Sequence, residues 1–180
     1  MKKIILLFLS FLIVILESTL ISHFRIGGIV PNLTLITVMS VALCDGSKSG
    51  RHIGFFMGLT QDVLFFRSIG YYALLYYLLG HISGIARRGI RRSNLTSLFL
   101  FIIIGDLSYG LVNYVFLAFL RGHTDLPYYL HKIIIPEAAY TSFFILPLYC
   151  FLAWVCRILE HLRVKDAISH DLMRREEVES

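Results

Sequence analysis

Charged residues are scarce in this chain: they make up 16% of its 180 residues, against roughly a quarter in an ordinary soluble domain. Hydrophobic residues make up 57%, and they come in long blocks that a soluble fold of this size could not hide. A helix needs roughly 17–25 apolar residues to cross a bilayer. The composition therefore excludes a sizeable soluble domain and predicts an all-α membrane protein with about five to seven crossings.

Recognisable catalytic and metal-binding patterns are also missing. The seven histidines are scattered over predicted loops and helix ends and form no HExxH or similar ligand spacing. No GxSxG, P-loop or paired carboxylates on one helix face occur either. Cys44, Cys150 and Cys156 form no CxxC pair and lie in or beside apolar blocks, which is typical of buried unpaired thiols. We therefore expect no catalytic centre, metal or cofactor, and an intramembrane enzyme is the least favoured alternative.

Six apolar blocks, separated by charged or turn-forming stretches, predict a bundle of about six transmembrane helices. Lys2 and Lys3 before the first block are also typical of a signal peptide, but the block continues past Glu17 without a small-residue cleavage site. An uncleaved helix is therefore favoured. We expect residues 1–159 to form the bundle and residues 160–180 a charged cytoplasmic tail. The predicted helices cover residues 4–22, 31–44, 52–66, 71–86, 95–120 and 133–159.

The basic residues set the expected orientation. With the N-terminus inside, 13 of the 17 Lys and Arg residues fall in inner segments and 4 in outer ones, as the positive-inside rule requires, so both termini are predicted to be cytoplasmic. Nucleic-acid binding is not expected, because the net charge of +5 is not gathered in a basic patch with aromatic residues. The loop after the fourth helix should anchor the topology and attract anionic lipids. Its arginines are Arg87, Arg88, Arg91 and Arg92.

Small residues recur at every fourth position of the third predicted helix. Small residues at this spacing let a neighbouring backbone approach closely, so that dispersion can hold two helices together in lipid. Gly80 and Gly84 form a similar pair on the fourth helix. The stripe on the third helix consists of Gly50, Gly54, Gly58 and Asp62.

Gln61 and Asp62 lie at the outer end of this stripe, before a sharp turn at residues 67–70. Ionisable groups inside a membrane cost roughly 2.5–3.5 kcal/mol on insertion scales, so each needs a partner or a special position. In one interpretation the two side chains only fix the helix–turn–helix, aided by Arg67. In the other they shape a docking surface or a cavity.

Polar residues also share one face of the fifth predicted helix. Asp106, Gly110 and Asn113 follow the i, i+4, i+7 spacing of a single helix face. Asp106 and Asn113 could line a polar cavity, and the more favoured interpretation is that they form bonds between helices. Glu17 is expected to reach the outer interface. Glu137 is expected in the first turn of the sixth helix, where a carboxylate suits the helix dipole.

Three short segments resemble one family. They are Pro31-Asn32-Leu33 at the start of the second helix, Gly58-Leu59-Thr60-Gln61-Asp62-Val63-Leu64 at the end of the third, and Ser68-Ile69-Gly70 before the fourth. With the arginine-rich loop, the likeness covers residues 25–92, and the chain resembles the MreD family of rod shape-determining proteins. The resemblance assigns helix packing and partner docking to the motif positions Pro31, Asn32, Gly54, Gly58, Gln61, Asp62 and Gly70.

The resemblance implies a multi-pass, non-enzymatic subunit of the bacterial inner membrane. Its implied partner is MreC, a bitopic periplasmic scaffold. It would work in the elongasome, or rod complex, with the RodA glycosyltransferase, a class B penicillin-binding transpeptidase and cytoskeletal MreB, supporting lateral peptidoglycan synthesis and cell shape. The resemblance also implies an architecture like that of the substrate-binding (S) subunits of energy-coupling-factor transporters.

Two functions therefore remain open. The first is an assembly protein, whose glycine-lined grooves and outer loops would receive a partner's transmembrane helix. The second is the solute-binding subunit of an energy-coupling-factor type transporter, with a cavity lined by Asp106, Asn113, Glu17 and Asp62. The first is favoured by the Gln61-Asp62 motif and by the few polar residues available, since a small-molecule pocket needs several convergent polar groups.

Overall fold

Helices make up almost all of the computed structural model, which describes residues 2–23, 29–65, 70–90, 94–118 and 125–179. Within these ranges only turns and an isolated bridge at Ile29 interrupt them, which confirms the all-α class. Two π-helical segments, Tyr114–Ala118 and Leu130–Ile134, follow α5 and α6. The helices are α1 (Lys2–His23), α2 (Leu33–Asp45), α3 (Ser47–Phe65), α4 (Tyr71–Ala86), α5 (Leu95–Asn113), α6 (Leu126–Tyr129) and α7 (Ile135–Glu179).

α2 lies at the centre of the bundle. All twelve residues from Leu33 to Cys44 are buried, and α1, α3, α4, α5 and α7 all contact this helix. Its 13 residues span only about 20 Å, which is less than the roughly 30 Å of a bilayer core. The central helix is therefore surrounded by protein, and the other helices separate it from any lipid.

The structure moves two predicted helix boundaries. α2 begins at Leu33 rather than at residue 31, because Asn32 is its N-cap and the Asn32 Oδ1 accepts the Leu35 N–H at 2.9 Å. α3 begins at Ser47 rather than at residue 52, because the break after α2 is a single residue, Gly46, with a φ of +95°. α3 thus has 19 residues and spans about 28 Å rather than the predicted length of about 22 Å.

The stretch before the sixth predicted helix is also more helical than expected, while the helical tail agrees with the alternation of charged and apolar residues over 157–173. Residues 126–132, predicted to lie in a polar loop, form α6 and part of a π-helical segment. α7 then runs for 45 residues through the predicted tail to Glu179. α5 ends at Asn113 and continues as π-helix to Ala118, while residues 119–124 lie outside the described ranges.

Two helical stretches of the described chain are long and apolar enough to cross a membrane, Leu95–Phe116 and Leu126–Glu160. Ile5–Thr19 and Leu33–Asp45 are shorter apolar helices. In an apolar 18-residue segment of each of these stretches, only 22% and 28% of the residues are buried inside the bundle. Most of the residues in these two long apolar helical stretches are therefore not buried against other helices of the bundle.

Candidate functional site

The closest helix contact in the bundle joins α3 to α4. A Cβ added at Gly54 would lie 2.3 Å from the carbonyl oxygen of Tyr76, and one added at Gly58 would lie 2.3 Å from that of Tyr72. Both distances are shorter than any real Cβ contact, so only glycine fits there. The predicted close approach along this stripe is confirmed.

Glycines of α4 face the same contact from the other side. A Cβ at Gly80 would meet the backbone of Gly50 at 2.3 Å, and one at Gly84 would meet Ser47. The two glycine sets that the sequence shows on separate helices therefore form one interface, the α3–α4 glycine contact. The groove predicted to receive a partner helix at Gly54 and Gly58 is filled by α4 of the same chain.

Asp62 joins α3 to the start of α4. Its Oδ2 accepts the N–H groups of Gly70 at 3.0 Å and Ala73 at 3.1 Å, and its Oδ1 accepts the Tyr72 N–H at 3.0 Å. The side chain is 1% exposed. A carboxylate on the free N–H groups of a helix start satisfies donors that would otherwise be buried without partners, and it lies at the positive end of the helix dipole. Asp62 therefore caps α4, as the first interpretation of its role requires.

Gln61 points to a different helix. Its Nε2 donates to Thr34 Oγ1 at 2.9 Å, and that hydroxyl donates in turn to Glu17 Oε2. The Thr34 N–H also donates to Glu17 Oε2, at 2.9 Å. This chain of bonds joins α3, α2 and α1. The expectation that Glu17 reaches the membrane interface is wrong, since Glu17 is buried and bound to the central helix.

Asn32 is the centre of a second set of bonds. Its backbone N–H donates to Thr141 Oγ1 on α7 at 3.1 Å, and the Tyr76 hydroxyl donates to its Oδ1 at 3.2 Å. Tyr76 Oη also lies 3.1 Å from the Tyr109 hydroxyl on α5. The cap of α2 is thus bonded to α4 and α7, and through Tyr76 to α5. Pro31, the preceding motif residue, is buried as well.

The two residues predicted to line a polar cavity have different positions. Asn113 lines a cavity of about 200 Å³, where its Oδ1 accepts from the Tyr71 hydroxyl at 3.3 Å and its Nδ2 donates to Tyr109 O at 3.1 Å. Asp106 is buried about two helical turns before Asn113 on α5, beside Thr141. Among the described residues, its Oδ1 has no hydrogen-bond partner.

Sequence reasoning missed most of the cavity wall. Glu137 lines it and lies in the first turn of α7, as predicted, but π-helical turns that were not predicted precede α7, and Ile135 N–H bonds to Leu130 O. The signal was present in the chain: an ionisable residue inside an apolar block, with tyrosines on the facing helices. The full wall, named here the tyrosine cavity, consists of Tyr72, Tyr109, Gly110, Asn113, Tyr129, Ile133, Ile134 and Glu137.

At the opposite end of the bundle, Arg87 contacts the protein itself. Its Nη1 lies beside Gly46, 3.2 Å from where a Cβ would stand there, so the guanidinium covers the one-residue break between α2 and α3. Arg88 is exposed. Arg91 and Arg92, the other predicted anchors, lie outside the described residues, as does Arg67. Their roles stay predictions.

The sequence profile of the rod shape-determining protein MreD matches residues 2–159. The chain belongs to the MreD family. The match extends the likeness of residues 25–92 over the whole helical bundle, and it identifies a membrane protein that determines rod shape. No match was found among curated proteins or among solved structures.

Several motif positions of the MreD resemblance now have a structural role in this chain. Asn32 caps α2 and Asp62 caps α4, while Gly58 admits the α4 backbone and Gln61 binds the central helix. Gly70, with a φ of +96°, is the left-handed residue at the start of α4. All five hold α2, α3 and α4 together, and their role in docking a partner stays a prediction.

Proposed function

We propose that this chain is a non-enzymatic, multi-pass subunit of the bacterial inner-membrane rod complex. In this proposal six helical regions cross the membrane, both termini are cytoplasmic, and the chain binds MreC. It then supports lateral peptidoglycan synthesis together with RodA, a class B penicillin-binding transpeptidase and MreB. The family match over residues 2–159 is the observation that carries this proposal.

The packing of the bundle supports an assembly role. α2 is wholly buried and the glycine face of α3 is covered by α4, so a partner must bind to outward faces. α1, α5 and α7 all carry outward apolar side chains, and on α5 and α7 these include the highly exposed Ile104, Phe143 and Trp154. A large apolar surface of this kind is either covered by lipid or used as an interface. We place the MreC-binding surface on α5 and α7.

The alternative, a solute-binding subunit of an energy-coupling-factor type transporter, has less support. The tyrosine cavity holds about 200 Å³, which is below the roughly 300–1,000 Å³ typical of sites that enclose a small molecule. Glu17 and Asp62, predicted to line such a site, are occupied by bonds to other helices. The structure thus offers room for a chemical group rather than for a whole solute.

The test is affinity purification of the tagged chain from bacterial membranes in mild detergent, followed by mass spectrometry. We expect MreC to co-elute with the elongation transpeptidase and glycosyltransferase. Recovery of an ATPase pair with its coupling membrane protein, and no MreC, would overturn the proposal and identify a transporter subunit. A variant truncated after Leu159 is the matched control. Because the family match ends at that residue, the truncated chain should still recover MreC.

A further inference from the structure

The tyrosine cavity lies at the end of the bundle where α4 begins and α5 ends. Its wall combines the carboxyl group of Glu137 with the side chains of Asn113, Tyr72, Tyr109 and Tyr129. At about 30 Å³ for each water molecule, its 200 Å³ equals the space of six or seven waters. A ligand of head-group size fits this space. On the proposed topology the cavity faces the outer leaflet.

The carboxyl groups near the cavity have no basic partner among the residues that the structure describes. The ionisable side chains nearest to Glu137 include Asp106 and Glu17, which are both acidic. Within the described ranges, one oxygen of the buried Asp106 also lacks a hydrogen bond. Buried charges in proteins are normally paired, and ionisable residues inside a membrane mark binding sites and pathways. Among the described residues, no positive charge is paired with these carboxyl groups.

The rings around the cavity suit a cation of a particular kind. Three tyrosines contribute to the wall, and Tyr109 stacks on Tyr76 with ring centroids 5.5 Å apart. An ammonium group within about 6 Å of an aromatic face is attracted by the ring quadrupole, and aromatic cages bind organic ammonium ions in this way. A bare metal ion would instead need several oxygen ligands, and within the described chain no cluster of three acidic, histidine or cysteine side chains could hold one.

Helix geometry gives an independent sign of function at the same place. The π-helical segment Leu130–Ile134 contributes Ile133 and Ile134 to the cavity wall. The other π-helical segment of the described chain, Tyr114–Ala118, directly follows the wall residue Asn113, and Tyr114 packs against Ile134. π-helical turns break the regular hydrogen-bonding pattern and occur frequently at functional sites.

We propose that the tyrosine cavity binds an alkylammonium group, which the Glu137 carboxylate pairs with and the tyrosine rings surround. The group comes either from the amine of a phospholipid head group or from a free small amine. Binding of this group by the purified chain is independent of the proposed function and needs no partner protein.

The test uses the full-length chain in nanodiscs of equal parts phosphatidylethanolamine and phosphatidylglycerol, with native mass spectrometry of the lipids it retains. We expect retained phosphatidylethanolamine to exceed phosphatidylglycerol roughly three- to fivefold, since the preference needs both the Glu137 carboxylate and the tyrosine rings. Glu137→Gln should bring this ratio close to one. Asp125→Asn removes an exposed acid outside the cavity wall and should leave the ratio unchanged.

A second pair of variants guards against loss of folding. Tyr129→Phe keeps the ring and should keep the preference, whereas Tyr129→Leu should abolish it while both elute as the native species in size exclusion. An equal ratio for the natural chain and Glu137→Gln, or for the two Tyr129 variants, would overturn the proposal.

A separate measurement distinguishes a phospholipid head group from a free amine as the source of the ammonium group. If millimolar ethanolamine stabilises the lipid-free chain against heating and fails to do so in Glu137→Gln, the site takes free amines. If only the phospholipid preference depends on Glu137, the site takes a lipid head group.

Discussion

The α2–α4 unit and the α5–α7 pair of this bundle are built in opposite ways. In the α2–α4 unit, backbones touch through glycine, the central helix is fully buried, and Asn32, Gln61 and Asp62 are all bonded to neighbouring helices. In the α5–α7 pair, less than a third of the two apolar stretches is buried and π-helical turns interrupt the regular pattern.

The difference shows which half of the molecule serves the fold and which is available for contacts. The α2–α4 unit is closely packed and its polar groups are hydrogen-bonded, so a partner protein that binds there could alter its structure only slightly. The α5–α7 pair holds the outward surface and the cavity. Substitutions should therefore act mainly on stability in the first region and mainly on binding in the second.

The largest effect should come from filling the α3–α4 glycine contact. Gly54→Leu places a side chain where even a Cβ lies 2.3 Å from a backbone oxygen, and α3 and α4 must separate to admit it. Overpacking costs about 1–3 kcal/mol for single methylenes, so we expect loss of the folded chain in fluorescence-detected size exclusion. Gly89→Leu is the control, because the nearest atom to a Cβ there is 3.8 Å away. Equal yields of the two variants would show that the contact is not needed.

The next effect should come from the cap of α4. Asp62→Ala leaves three backbone N–H groups at the start of α4 without their acceptor, which should cost about 2 kcal/mol or more and lower the melting temperature. Asp125→Ala is the control, since Asp125 is also an N-cap residue and makes no side-chain cap bond.

The sequence also predicts that Asp62→Ala impairs assembly or activity more than Arg67→Ala. A complementation assay for rod shape compares them. Equal, negligible effects would remove the assigned role of Asp62.

A smaller effect is expected from the bond chain that joins α1 to α3. Thr34→Val keeps the shape of the side chain and removes the hydroxyl between Gln61 and Glu17, which should destabilise the chain by about 1–3 kcal/mol. Thr37→Val is a close control on the same helix, because the Thr37 hydroxyl bonds only to Leu33 O one turn back. A melting temperature that falls equally in both variants would mean that the link between helices contributes nothing.

The smallest effect on stability is expected on the outward face of α7. Phe143 is 77% exposed and Ile145, two residues on, is fully buried. Phe143→Ala should change the free energy of unfolding by less than about 0.5 kcal/mol, and Ile145→Ala should cost about 2–5 kcal/mol. Phe143→Ala should nevertheless reduce the amount of MreC that co-purifies. Undiminished MreC recovery would move the binding surface away from this part of α7.

Local sequence patterns predicted the α2–α4 unit well, because its contacts leave regular traces in the chain. Glycines at every fourth residue predict that a neighbouring backbone approaches closely, and an Asp before a turn predicts a helix cap. The pattern does not identify the helix that packs against each glycine stripe. Gly54 faces Tyr76 inside this chain, yet the same spacing would serve a helix from another protein equally well.

The α5–α7 pair was harder to predict for a different reason. A π-helical turn has no distinct composition, so residues 126–132 look like a polar loop. Glu137 lies in the first turn of α7, as predicted, but the sequence did not predict the π-helical turns that precede this helix. Asp106 and Asn113 share a helix face, but the neighbouring side chains decide that only Asn113 borders the open space.

α7 continues as a helix well past the last long apolar stretch. Residues 160–179 add about 30 Å to this helix, whereas charges in physiological salt sense one another over only about 8–10 Å. On the proposed topology, a helix of this length perpendicular to the membrane would extend well beyond the lipid surface potential. Its far end would then meet cytoplasmic proteins rather than lipid.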